Sequence, residues 1–166
     1  MKVSEHITYG AAASIGLSHW FGWNSIWFFI GSVAIDFDHY FEFLYYHNFR
    51  SFSFKKMFKW YGYLNRFVNN TDYLVLHAYH TIEFLLVTTV LVQYFHSMEL
   101  AMIFLGMIFH ITLDRIRMRQ NGLLNIRANS FLEYWLRKKK MLKELGTEPE
   151  YIFRVHSINF RRYNGI

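Results

Sequence analysis

Long uncharged stretches alternate with short polar breaks through the first two-thirds of the chain. Ile7–Trp20 is apolar, with Gly10, Ser14 and Ser18 four apart; small residues at that spacing let helices in lipid approach closely. His19–Asn24 reads as a turn, and its two tryptophans suit a membrane–water boundary. The uncharged run Ile26–Ile35 belongs to a second helix, opening at Ser25 and expected to continue through Phe41–Tyr46. His77–Phe95 and Glu99–Arg115 read as third and fourth helices around a tight turn at His96-Ser97-Met98. Residues 47–76 have a different texture. There Arg50, Lys55, Lys56, Lys59 and Arg66 stand among aromatics, and Asn69-Asn70-Thr71-Asp72 breaks the chain. An amphipathic, interfacial connection fits that mixture. Beyond Arg115 the sequence turns basic. Ser130–Leu145 carries the marks of a capped helix, with Glu133 three residues after Ser130 and Gly146 at its end. Residues 148–166 show no clear pattern.

These patterns predict an all-α fold: a four-helix up-down transmembrane bundle over residues 1–120, then a basic cytoplasmic helical tail over 121–166. Composition agrees. At 53% hydrophobic and 21% aromatic the chain is heavy for a soluble domain, yet its mean hydropathy is near zero. A membrane bundle with a polar tail gives both. Of 18 Lys and Arg, one precedes the first apolar segment, five lie between the second and third, and twelve follow Leu113. The turns at 19–24 and 96–98 carry none. That asymmetry places both termini on the cytoplasmic side of the cell (inner) membrane, with no cleavable leader expected. The net charge of +6 invites nucleic acid, but no nucleic-acid module accompanies it, so lipid is the expected partner. Self-association is left open. The Arg137–Lys140 run reads mainly as a solvated face, with an anionic-lipid contact as the minority reading. The absence of Cys excludes disulfides and thiolate metal sites.

Candidate chemistry falls at one end of this bundle. Asp36, Asp38 and His39 follow directly on the uncharged run, and taking acids out of water is costly unless a cation compensates them. His6 opens the first helix, His77 and His80 open the third, and His110 and Asp114 close the fourth. In an up-down bundle these four ends share a side. At ~1.5 Å per residue from the opposite turns, His6, Asp36, His80 and His110 lie about 20, 17, 24 and 18 Å deep. His110 and Asp114 are one turn apart, as are His77 and His80, and Asp36 and His39. Asp38 points away from that stripe, toward a second ion or an outer role. The metal ligands expected are therefore His6, Asp36, Asp38, His39, His77, His80, His110 and Asp114. Imidazole with carboxylate suits one or two divalent transition ions: zinc, or manganese or iron. Two such ions clamp the attacking and leaving oxygens of a displacement. Glu83 and Asp38 are the candidate catalytic carboxylates, and Arg117 the candidate substrate anchor.

The residues resemble a family at this point: the LexA-regulated, membrane-bound metal-dependent hydrolases. The matches are Asp36-Phe37-Asp38-His39, His77-Ala78-Tyr79-His80-Thr81 and His110-Ile111-Thr112-Leu113-Asp114, with His6 as the N-terminal histidine. A more distant likeness is to zinc-dependent phospholipase C. The resemblance covers about residues 5–117 and implies hydrolysis of a phosphoester or lipid-type substrate at the cytoplasmic side. A metal-binding or transport protein without hydrolysis is the alternative. Haem ligation is disfavoured by the accompanying carboxylates, and a hydroxylase-type di-iron site by the missing His-rich repeats.

Overall fold

The computed structural model describes residues 3–66, 74–146 and 148–164. Eight helices appear among them: α1 Val3–Phe21, α2 Ser25–Ala34, α3 Phe37–Tyr46, α4 Phe54–Leu64, α5 Ile82–Phe95, α6 Met98–Gln120, α7 Phe131–Leu145 and α8 Pro149–Asn164. The all-α expectation holds for these residues. The expected breaker at 69–72 lies outside them. The chain divides into two compact units, one of Met1–Asp36 with Tyr79–Leu124, the other of Phe37–Ala78 with Asn125–Ile166.

In the first unit α2 packs against both α1 and α6, and α5 packs against α6. Small residues set these approaches. A Cβ on Gly31 of α2 would collide with the backbone carbonyl of Ile103, and one on Gly106 of α6 with the carbonyl of Phe28. Backbone therefore lies against backbone, a distance only glycine permits. On α1, Gly10 abuts Ser32, and the Ser14 hydroxyl donates to the Ser25 carbonyl at 2.7 Å. Ser18, the third small residue of the spacing, is exposed and bonds back to Ile15.

Two expected helices begin or end elsewhere. Helix two stops at Ala34, with a turn at Ile35-Asp36 before α3 starts. Helix three begins at Ile82, not His77, because the Thr81 hydroxyl caps it by accepting from Phe84 N at 3.3 Å. No helix among the described residues is long and apolar enough to cross a membrane. The shortened α2 and α5 explain part of this. The longest helix, α6, carries Glu99, Asp114, Arg115, Arg117 and Arg119.

In the second unit α8 packs against α3, α4 and α7. Trp60, fully buried, donates from Nε1 to Ser157 at 3.2 Å, and Phe43, Phe153 and Phe160 fill the same core. Residues 125–166 thus pack with 37–78. Val75 pairs with Arg127 in an isolated parallel bridge, through Val75 N to Ile126 O at 2.8 Å and Ala128 N to Val75 O at 3.0 Å. That bridge anchors the strand-like segment leading into His77.

Candidate metal centres

The first unit gathers five of the eight expected ligands. Asp36 comes from the turn after α2, His80 from the short 3-10 turn Ala78–His80 before α5, and His110 and Asp114 from successive turns of α6. His110 Nε2 lies 3.3 Å from Asp36 Oδ1 and 3.8 Å from Asp114 Oδ2. His80 Nε2 lies 3.8 Å and 3.9 Å from the same two oxygens. A tetrahedral shell with metal–ligand bonds of 2.0–2.2 Å has edges of roughly 3.4 Å. The four measured edges fall at that length or a few tenths beyond it.

The tautomer of His110 sharpens the point. Its Nδ1 lies 2.7 Å from the Ser32 carbonyl, which can only accept, so Nδ1 carries the proton. In the neutral ring the buried Nε2 then presents a lone pair toward two carboxylates, 3.3 Å and 3.8 Å away. Lone pairs and anions facing one another need a positive centre. A divalent ion can be shared by Asp36, His80 and His110, whose ligand atoms all lie within 4.8 Å of one another. The residues fit such an ion, and the Ser32 carbonyl supplies the outer hydrogen bond that ligating histidines characteristically make.

His6 lies beside this set. Its Nε2 is 3.1 Å from Asp114 Oδ1, and its ring stacks on His110 at 3.8 Å. There it braces the Asp114 carboxylate, and it also forms a ligand group of its own with His110 and Asp114.

The remaining three expected ligands meet in the second unit. Asp38, His39 and His77 each offer a ligand atom within 4.8 Å of the others. The His39 and His77 rings meet edge to face at 4.2 Å. Here sequence reasoning missed two residues. Glu42 Oε2 stands 3.8 Å from His77 Nδ1 and accepts from the Tyr61 hydroxyl, which also lies 3.2 Å from the His39 carbonyl. Burial pushes the Glu42 carboxyl up to about 8, with the Tyr61 bond opposing and the Asp38 charge adding. A cation opposite would restore its ionised form. Its signal was present in the sequence: Glu42 is four residues after Asp38 and three after His39, on one face of α3.

The helix-face pairings expected of Asp36 with His39, and of His77 with His80, are replaced. The turn at 35–36 sends Asp36 to the first unit and His39 to the second. His77 and His80 both precede α5 and are divided in the same way. Glu83, half-buried in the first turn of α5, is in none of the three ligand groups. Arg117 is half-exposed near the end of α6, 4.0 Å from Glu5. His47, which belongs to neither cluster, is fully buried among Phe43, Trp60 and Phe160.

No family model matches the sequence, and no curated protein or solved structure matches it either. The geometry of the two clusters is therefore what a functional reading must stand on.

Proposed function

We propose that this protein is a membrane-associated, metal-dependent hydrolase acting on a phosphoester or lipid-type substrate at the cytoplasmic side of the cell membrane. One observation carries the proposal: Asp36, His80 and His110 each offer a ligand atom within 4.8 Å of the others, and Asp114 stands 3.8 and 3.9 Å from the two histidines. The resemblance of the three short motifs to the LexA-regulated hydrolases points the same way. A divalent ion bound there supplies Lewis-acid chemistry, polarising a phosphoryl oxygen and acidifying water. The chain's own residues do the rest. The Ser32 carbonyl holds the His110 tautomer, His6 orients Asp114, and Arg117 lies one turn beyond Asp114 as a cation for an anionic substrate. Glu83, in the first turn of α5, remains a candidate proton acceptor, and Asp38 belongs to the second cluster with His39 and His77.

The exterior of the first unit supports a lipid setting. Its interior holds His6, Ser32, Thr81 and His110, while Ile15, Trp20, Trp23, Val90 and Tyr94 are each more than 60% exposed. The buried set mixes these polar groups with Phe28, Ile35 and Met102, and large apolar side chains exposed together mark an interaction or membrane surface.

A second reading has its own observation. Asp36, His80 and His110 fill three positions, and Asp114, 3.8 and 3.9 Å from the two histidines, would close the shell as in structural ions, whereas catalytic ions keep an open position. A metal-binding protein without hydrolysis follows if no donor gives way. The two separate on assay of detergent-purified full chain. Elemental analysis should find one or two transition ions per chain. Turnover of a chromogenic phosphodiester should vanish on chelation and return with the ion. Metal without turnover supports the second reading, and absence of metal overturns both.

A further inference from the structure

We infer that the outward face of α7 docks on the surface of an anionic phospholipid bilayer. Ser130 caps this helix by accepting from Glu133 N at 2.9 Å, and Gly146 closes it in the left-handed conformation at φ 68°. Its half-buried side, Tyr134, Arg137 and Met141, faces inward, and α7 packs on α8. The other side is neither apolar nor simply charged. Phe131, Leu132, Trp135 and Leu136 are each about half exposed or more, at 48%, 62%, 51% and 52%. Lys139 and Lys143 share their arc, which spans about 140° at 100° per residue.

The acids of α7 lie off this arc. Glu133 is held by Arg137 at 3.0 Å and Glu144 by Lys140 at 3.9 Å. The arc, which also takes in Leu142 at 46% exposed, therefore presents two uncompensated lysines beside five large apolar side chains. Lys139 Nζ sits 3.6 Å over the Trp135 ring, so cation and indole form one amphipathic unit. Tryptophan and lysine with an aliphatic neighbour suit the headgroup layer, where the ring and leucines enter the acyl boundary and the ammonium stays at the phosphates. A nucleic acid would satisfy the lysines but leave Leu132 and Leu136 in water. A second copy of this chain would bring lysine against lysine. The anionic bilayer is the partner that matches both halves of the surface.

This inference shares with the proposed function only the nearness of a membrane, and it is independent of the metal chemistry. The native chain has no cysteine, so Leu136→Cys in the full chain accepts one environment-sensitive fluorophore. The readout is local to α7, whatever the rest of the chain does with lipid. Vesicles of phosphatidylcholine mixed equally with phosphatidylglycerol should shift the emission to the blue, and high salt should reverse the shift. Phosphatidylcholine alone should do little. Lys139→Glu with Lys143→Glu, a change of four charges, should weaken the response well beyond the roughly 30-fold that losing two surface lysines costs, with helicity and metal content unchanged. Lys139→Gln with Lys143→Gln gives a milder loss and guards against misfolding of the charge-reversed form. Equal shifts with both vesicles overturn the proposal. So does a shift that appears with protein concentration alone, or with an oligonucleotide and not with vesicles.

Discussion

His110 donates from Nδ1 to the backbone carbonyl of Ser32 at 2.7 Å, across 78 positions of sequence. The bond ties α6 to α2 and orients the imidazole whose other nitrogen meets Asp36 and Asp114. A backbone acceptor cannot be deleted by mutation, so the ring itself is the place to test the arrangement. His110→Ala should cost the first unit its ion, lowering metal content by one equivalent per chain in elemental analysis. His19→Ala, at an exposed position, should leave metal content unchanged. Full metal content in His110→Ala would remove the first centre.

The glycine contact between α2 and α6 positions that bond. Gly31→Ala or Gly106→Ala drives a methyl into a facing carbonyl, and overpacking of this kind costs about 1–3 kcal/mol. Both variants should melt earlier and bind the first ion more weakly, since Ser32 moves with α2. Gly16→Ala, with open space around its Cβ position, should instead gain about 0.5–1 kcal/mol from helix propensity. Thermal melts of the three variants decide the matter.

In the second unit, Glu42→Gln should weaken cation binding by Asp38, His39 and His77 about 10–100-fold, the usual effect of altering a group beside the ligands. The first centre should be unaffected. Tyr61→Phe should act in the same direction and more weakly, because it removes only the donor that fixes Glu42. Titration of the metal-free chain with cobalt, followed by its absorption bands, resolves the two steps. A single unchanged step in Glu42→Gln would exclude it from the second centre.

Acid should loosen the second unit through His47. Burial lowers its pKa below the usual 6.5, with Arg161 and Lys56 adding and the Phe43 bond opposing. The folded form then takes up a proton less readily than the unfolded one. Stability from this group is complete above about pH 6.5 and is lost as pH falls toward the folded value. His47→Phe gives up the 2.8 Å bond to the Phe43 carbonyl at a cost of about 1 kcal/mol. It should nonetheless flatten the decline in melting temperature between about pH 7 and pH 5. An undiminished decline would assign the acid sensitivity elsewhere.

Much of this was legible in the sequence, because local chemistry decided it. Ser130 with Gly146 marks the ends of α7, and His96-Ser97 reverses the chain between α5 and α6. His110 and Asp114 share a face by helical period alone. Local rules failed where a longer-range contact won. Nothing near Ile35 announces that the second helix stops there, since Asp36 and Asp38 are as compatible with a continuing helix. His77 is drawn to α3 by the Val75–Arg127 bridge, whose partner lies some fifty residues onward. Helix α8 escaped notice because Phe153 and Ser157 point to a partner, Trp60, that periodicity cannot name.

The turn at Ile35-Asp36 has one more consequence. A short acidic motif is naturally taken as a single chelator, yet here its two aspartates answer to different partners on either side of a helix break. Their losses should then be additive: an asparagine at position 36 and one at position 38 should each silence its own ion, and the double change should do no more than both together. A chain retaining either aspartate alone would keep half of the chemistry intact.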